Sequence, residues 1–282
     1  MMSKDRLYLE SQYNLREQHP NHLVIKAEYK RRNEMIRKTL PIKCNLSCGA
    51  NKNTIFDLIS GVGKQSLQPA VIFIHGGFWR SGDKQECSFI ANSFAQHGIA
   101  TVLLNYSLAP DLSLKSIISE IRTSVINITA QALQLGLDPK RIILGGHSAG
   151  GHLAAMVEST NWDIFNIPKS PLYASFGISG LYNPQPLSQT SFQKILALPD
   201  DCNCLVARPL KATKQGLDLV ACGSDETQEL KMQSQRYADK VKNNLDYDPI
   251  FWVQQRNHYS VLLDLADNKS ALFRRVLRIF DL

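Results

Sequence analysis

Gly146-His147-Ser148-Ala149-Gly150 matches G-x-S-x-G and stands between an apolar, strand-like run ending at Leu144 and a helical stretch beginning near Ala149. Small residues around the serine let the chain turn sharply from strand to helix, which lifts the hydroxyl above the sheet and aims the helix N-terminus at it. Ser148 is therefore the candidate nucleophile. The pentapeptide alone is a weak signal, because small-residue turns are common; the strand-turn-helix setting gives it weight. A second signal, His75-Gly76-Gly77-Phe78-Trp79, follows directly on the apolar run Ala70 to Ile74. When a serine attacks a carbonyl, negative charge develops on the carbonyl oxygen, and donors fixed in advance to meet it lower the barrier by about 3 to 4 kcal/mol. Backbone amides serve where no side chain blocks the approach, which accounts for paired glycines at a strand end. The N–H of Ala149 adds a donor from the residue after the nucleophile.

In this arrangement an acid and then a histidine follow the serine along the chain. Of the seven histidines, His152 and His258 do so. His152 lies within the helix that the turn starts, where its side chain points along that helix, so His258 is expected to be the base. It sits in Arg256-Asn257-His258-Tyr259-Ser260, after a strand expected from Pro249 to Val253. Asp225, just past a strand expected from Leu217 to Cys222, is the expected acid, because a carboxylate there would hold the imidazole's tautomer and stabilise its protonated form. Asp246 and Asp248 are rivals, but they precede a strand and so fall at the wrong end of a parallel sheet. His75 and His147 are expected to tie neighbouring loops together. Phe78, Trp79 and Tyr182 are candidate walls for an aromatic substrate, although large aromatics beside a strand end belong as often to the core.

These residues need a scaffold, and the rest of the chain reads as one. Its 282 residues, 44% hydrophobic and 20% charged, suit one compact domain and exclude a disordered or fibrous chain. Apolar runs fall far short of the ~18 residues that a membrane span requires. The run Ala70 to Ile74 is continuous, as expected of a strand covered on both faces, and Thr101 to Leu104 and Arg141 to Leu144 repeat the type. Between the last two, apolar residues from Leu114 to Leu135 advance by three or four, with Gly136 and Pro139 as a stop, which predicts a helix crossing between parallel strands. Further strands are predicted at Ile42 to Leu46, Thr54 to Ile59 and Leu172 to Ile178, and further helices at Thr227 to Val241 and Ser270 to Phe280. The fold class is α/β: a mainly parallel central sheet with helices on both faces and ligands beyond the carboxyl ends of its strands. We expect a single domain over 1–282, with a polar N-terminal segment (1–39) of one or two helices and an irregular excursion (183–209) that could cap the site.

Other chemistries are poorly supported. Gly61-x-Gly63-Lys64 lacks the spacing and the Ser or Thr of a phosphate loop. Cys202-x-Cys204 has no second Cys/His pair nearby to complete a zinc site, so no metal is expected. The net charge of +7, much of it around Lys26 to Lys38, reads as a solvated helix face, since no nucleic-acid motif accompanies it. The first residues mix both charge signs and lack a signal-peptide core, and the six cysteines are too sparse for a disulfide scaffold, so a cytoplasmic protein with reduced thiols is expected.

Together the motifs resemble the α/β-hydrolase superfamily. His75-Gly-Gly-Phe-Trp79 with Gly146-His-Ser-Ala-Gly-Gly-His-Leu-Ala154 resembles the kynurenine formamidase (arylformamidase) branch in particular. The similarity extends from Leu9-Glu-Ser-Gln-Tyr13-Asn through Asn105-Tyr-Ser-Leu-Ala-Pro110 and Ser179-Gly-Leu-Tyr182 to Asn257-His-Tyr259. Esterases like hormone-sensitive lipase usually carry a third glycine where Phe78 stands here. The resemblance implies an oxyanion hole from the amides of Gly77 and Phe78, helped by Ala149. It also implies cofactor-free hydrolysis of an aryl formamide, N-formyl-L-kynurenine, to formate and kynurenine. A carboxylesterase acting on small esters shares the same motifs, and a non-catalytic binding protein of this fold is a third reading. The expected partner is a small aromatic molecule, with neither nucleic acid nor membrane, and a homodimer is compatible with the sequence.

Overall fold

The computed structural model describes residues 4–63, 65–208, 219–242 and 247–280. Three helices come first: α1 (Lys4–Tyr13), α2 (Leu15–Gln18) and α3 (His22–Thr39), one more than expected. Eight strands then build one sheet: β1 (Ile42–Ser47), β2 (Ile55–Ile59), β3 (Gln68–Ile74), β4 (Ala100–Leu104), β5 (Leu137–His147), β6 (Ala174–Ile178), β7 (Leu219–Gly223) and β8 (Ile250–Val253). Their order is β1-β2-β4-β3-β5-β6-β7-β8. The first two strands run antiparallel to their neighbours, and every pairing from β4 to β8 is parallel. Parallel neighbours need crossovers. These carry α4 (Ala91–Gln96), α5 (Leu114–Ala130), α6 (Ala132–Leu135), α7 (Ala149–Glu158), α8 (Phe192–Ile195) and α9 (Gln228–Lys242), and α10 (Val261–Leu265) and α11 (Ala271–Leu277) follow the last strand.

The period of two along β3 divides the interior. Ala70, Ile72 and Ile74 join the layer filled by α5, α7 and α9, through Ile117, Leu153 and Leu230. Val71 and Phe73 face the opposite layer, filled by Phe94 of α4 and Phe273 of α11. The N-terminal helices straddle the two, with Tyr13 packed in the first layer and Ile36 in the second.

Local signals set the helix ends. Ser113 caps α5 by accepting from Ser116 N at 3.2 Å, and Ser270 caps α11 by accepting from Phe273 N at 2.9 Å. The helix expected to run to Leu135 divides at Gln131 (φ −93°, ψ 4°), and Gly136, left-handed at φ 78°, ends the second piece. Strand β5 starts earlier than the expected Arg141. Pro139 cannot donate to the ladder, and a register shift against β3 between Gln68 and Ala70 absorbs it. Residues 217 and 218 of the expected seventh strand lie outside the described residues, as do Asp246, Lys64 and Pro209. No helix among the described residues is long and apolar enough to cross a membrane.

Candidate active site

Strand β5 delivers Ser148 at the carboxyl edge of the sheet. Its backbone (φ 56°, ψ −119°) lies where L-residues are strained. Three hydrogen bonds hold it there: Ser148 N donates to Ile178 O at 2.9 Å, and Ser148 O accepts from His152 N at 3.1 Å and Leu181 N at 3.3 Å. The flanking glycines are required by contact. A Cβ on Gly146 would lie 2.1 Å from Gly150 O, and one on Gly150 would lie 2.0 Å from Ile74 O. That second contact packs the elbow directly onto the end of β3, where the other turn begins.

In that turn Gly77 (φ 121°), Phe78 (φ 54°) and Trp79 (φ 55°) are consecutive residues of positive φ. Gly77 O accepts from Arg80 N and Ser81 N, both at 3.1 Å, and Trp79 O accepts from Ala109 N at 2.7 Å, so the turn is pinned at both ends. Among the described residues no acceptor takes the N–H of Gly77 or Phe78. Ala149 N opens α7 and has no intrahelical partner by geometry. The three amides expected to meet an oxyanion are therefore uncommitted.

His258 lies beyond β8 and is almost fully buried. Its Nδ1 donates to Glu226 Oε2 at 2.8 Å. The expectation of Asp225 is corrected here: Asp225 is exposed and accepts from Ser224 Oγ at 2.8 Å, while the next residue turns inward to the imidazole. Glu226 also accepts from Gly223 N at 3.0 Å and from Ser179 Oγ. Burial pushes its carboxyl up. The charge and hydrogen bond of His258, together with Ser179, outweigh that and hold it below the ordinary glutamate range. The loops after β7 and β8 are joined by Asp225 N donating to Arg256 O at 3.0 Å and Ser224 N to Val253 O at 2.9 Å. The sequence signal for Glu226 was present, since the chain order serine, acid, histidine admits Asp or Glu and the two acids are adjacent. A glutamate one position further on reaches where the aspartate, turned to solvent, does not.

His147 and His75 behave as expected of structural residues. His147 Nε2 donates to the His258 carbonyl at 2.9 Å, and its ring lies 4.6 Å from the His258 ring. Burial, reinforced by the nearby His258 charge, lowers its pKa to about 3, so it stays neutral. His75 stacks on Tyr106 at 4.5 Å and bonds the Gly76 carbonyl through Nδ1 at 2.7 Å. His152, passed over as base, donates through Nε2 to Leu205 O at 2.7 Å.

Ser148 and His258 both line a cavity of about 350 Å³. Phe78, the first of the expected wall residues, lines it and stacks on Phe192 of α8 at 4.6 Å. The other two are corrected: Trp79 is completely buried and meets the His152 ring edge-on at 5.1 Å, and Tyr182 stacks on Tyr237 at 4.2 Å inside the core. The remaining aromatic walls, Tyr13, Tyr29 and Tyr259, were not expected. Two of them come from the N-terminal helices, which are fastened over the carboxyl rim. Gln233 Nε2 donates to Tyr13 Oη at 2.7 Å, Tyr29 Oη donates to the Tyr259 carbonyl, and Asn257 Nδ2 donates to Asn21 Oδ1 at 3.2 Å. The excursion over 183–209 adds Phe192 and is tied to α1 where Glu10 accepts from Ser191 N at 2.8 Å.

The BD-FAE family model matches residues 56–170, from β2 through α7 to just before β6, and includes both motifs. Kynurenine formamidase of Danio rerio is 30% identical over 222 residues, covering 75% of this chain and 72% of that protein. The enzyme of the same name from Salmo salar is 28% identical over 219 residues, with the same coverage of each. A protein of Silicibacter sp. TM1040, solved as a candidate thioesterase, superposes with a TM-score of 0.80 at 24% identity, covering 95% of this chain and 98% of that one; at that identity the likeness speaks for the fold. A serine at the elbow of such a sheet, and relatives at this identity and coverage, make the protein a serine hydrolase, and the chain belongs to the kynurenine formamidase family of the α/β-hydrolases.

Proposed function

We propose that the protein hydrolyses an aryl formamide, N-formyl-L-kynurenine, to formate and L-kynurenine through a formyl-serine. The carrying observation is His258, held by the buried Glu226 at 2.8 Å and lining with Ser148 one cavity walled by aromatic rings. The relatives named kynurenine formamidase supply the formyl group and the aryl amine.

In this reading His258 Nε2 takes the Ser148 proton as Oγ attacks the formyl carbon. Glu226 keeps the other proton on Nδ1 and stabilises the imidazolium. The oxyanion forms against the N–H groups of Gly77, Phe78 and Ala149, which need no reorganisation because the turn and the helix start already fix them. His258 gives its proton to the aryl nitrogen as the C–N bond breaks. Water, deprotonated by the same ring, then adds to the formyl ester, and formate leaves as Ser148 is reprotonated. No cofactor enters.

The test is kcat/KM on N-formyl-L-kynurenine beside short aryl acetates, with Ser148→Ala as the inactive reference. The reading expects the formamide to be preferred, formate release to vanish in Ser148→Ala, and a fluorophosphonate to label Ser148 alone. A clear preference for the acetates would move the function to a carboxylesterase. Failure of the label would remove catalysis altogether.

A further inference from the structure

The catalytic cavity is aromatic in its walls and cationic at its mouth. Arg16 of α2, Lys26 of α3 and Arg80 from the turn after β3 all line it, and all three are exposed. Some cations elsewhere meet carboxylates: Arg31 and Arg32 bond Glu28, Arg37 and Lys84 bond Asp57, and Arg256 bonds Asp264. Among the described residues no such ion pair involves Arg16, Lys26 or Arg80. Among the described residues Glu86 is the one carboxylate that shares the lining with them, so the mouth carries an excess of positive charge.

Three separate elements bring these charges to one opening. A neutral aryl substrate would gain nothing from them, because aromatic walls bind an uncharged ring by area and stacking alone. A carboxylate gains from guanidinium donors held in a fork and from a field that draws it in before contact.

We infer that Arg16, Lys26 and Arg80 form a carboxylate-recognition rim, so that the enzyme selects aromatic substrates carrying an acid group, as the formanilide of an α-amino acid does. The choice of a formamide rests on the function proposed above; the rim itself does not, and the test separates the two. The three residues determine specificity and take no part in bond breaking.

Two substrate pairs are compared on the wild-type enzyme. One is N-formyl-L-kynurenine and 2′-formamidoacetophenone, the same formanilide without the amino-acid group. The other is 4-acetoxybenzoate and phenyl acetate. The readout is the ratio of kcat/KM, carboxylate-bearing over carboxylate-free. We expect it to exceed one in both pairs, and to fall about threefold for each of Arg16→Gln, Lys26→Gln and Arg80→Gln, the loss reporting in KM rather than kcat. Raising salt from about 0.02 M to about 0.5 M shortens the screening length severalfold and should lower the wild-type ratio of the ester pair, whose acid carries a net charge, without any substitution. Lys140→Gln, an exposed charge at the opposite end of β5, should leave the ratio unmoved, and Arg16→Lys should recover part of it. Ratios insensitive to both the three substitutions and salt overturn the rim. Acetates turned over without formamides overturn the proposed function instead, and the ester pair still reads the rim. Salt dependence of the wild-type ratio stands if a variant fails to fold.

Discussion

The two halves of the proposed catalytic centre are built in different ways. The nucleophile and the amides that face it sit on turns shaped by a few consecutive residues, held by backbone contacts such as Gly150 against Ile74 O. The imidazole and its carboxylate sit on two loops that fix each other, through Asp225 N to Arg256 O and Glu226 to His258, and the joint between halves is the His147 ring on the His258 carbonyl. A short motif therefore specifies the first half, while the second exists only once strands β7 and β8 are paired. The lesson is that a local turn can be read from its own residues, whereas a carboxylate's direction depends on which neighbour the loop leaves facing inward.

The sharpest way to break that contrast is to exchange the roles of the two adjacent acids. Glu226→Gln should lower kcat by roughly a thousandfold to ten-thousandfold, because the amide no longer fixes the imidazole's proton or compensates its charge. Asp225→Asn, at an exposed site, should stay within about twofold of wild type. Equal losses in steady-state kinetics would return the acid role to the aspartate.

The locally built half is tested by crowding its backbone. Gly150→Ala places a methyl 2.0 Å from Ile74 O, and urea denaturation should show a loss of at least about 3 kcal/mol. A loss below about 0.5 kcal/mol would mean the elbow is looser than its contacts imply.

Acid should strain the joint. Burial holds His147 neutral down to about 3 and His152 down to about 4, so below the ordinary histidine range the unfolded chain binds protons that the folded one refuses. Stability is then full at neutral pH and is lost as pH falls through about 6.5 toward those lower values, by about 2 kcal/mol for each ring at pH 5. Denaturation curves at pH 6.5 and 5 should show this loss, and His152→Gln should remove one ring's share. An undiminished loss in that variant would contradict the assignment.

The smallest effect separates pocket from core. Phe192→Ala removes a ring stacked on Phe78 and should raise KM for an aromatic substrate about fivefold, in line with the energy of one aromatic pair. Trp79→Phe should instead register as a lower melting temperature, since its ring packs on His152 away from the cavity.

Much of the scaffold was legible because its signals are periodic or confined to a turn. The continuous run at β3, the three-and-four spacing of α5, and the small residues around Ser148 each carry their structure within a dozen residues. Asp225 failed because solvent exposure is decided by the partner loop, and a turn between two adjacent acids leaves no periodic trace. Trp79 and Tyr182 failed for a related reason. Their closeness in sequence to Gly77 and Gly180 says nothing about which side of the turn they occupy, and a large ring gains more from full burial than from half. The walls from Tyr13, Tyr29 and Phe192 depend on distant segments folding over the rim, for which the polar N-terminal stretch shows only weak helical spacing.

Fastening the first three helices across the mouth has a consequence for how this enzyme changes. Tyr13, Arg16, Lys26 and Tyr29 belong to a stretch that ends before the first strand of the sheet, whereas in the proposed mechanism every group that meets the scissile bond comes from later turns. Much of what governs admission is thus written in a passage of the chain apart from the proposed chemistry, so that part of the door can be recut while the lathe behind it keeps its setting.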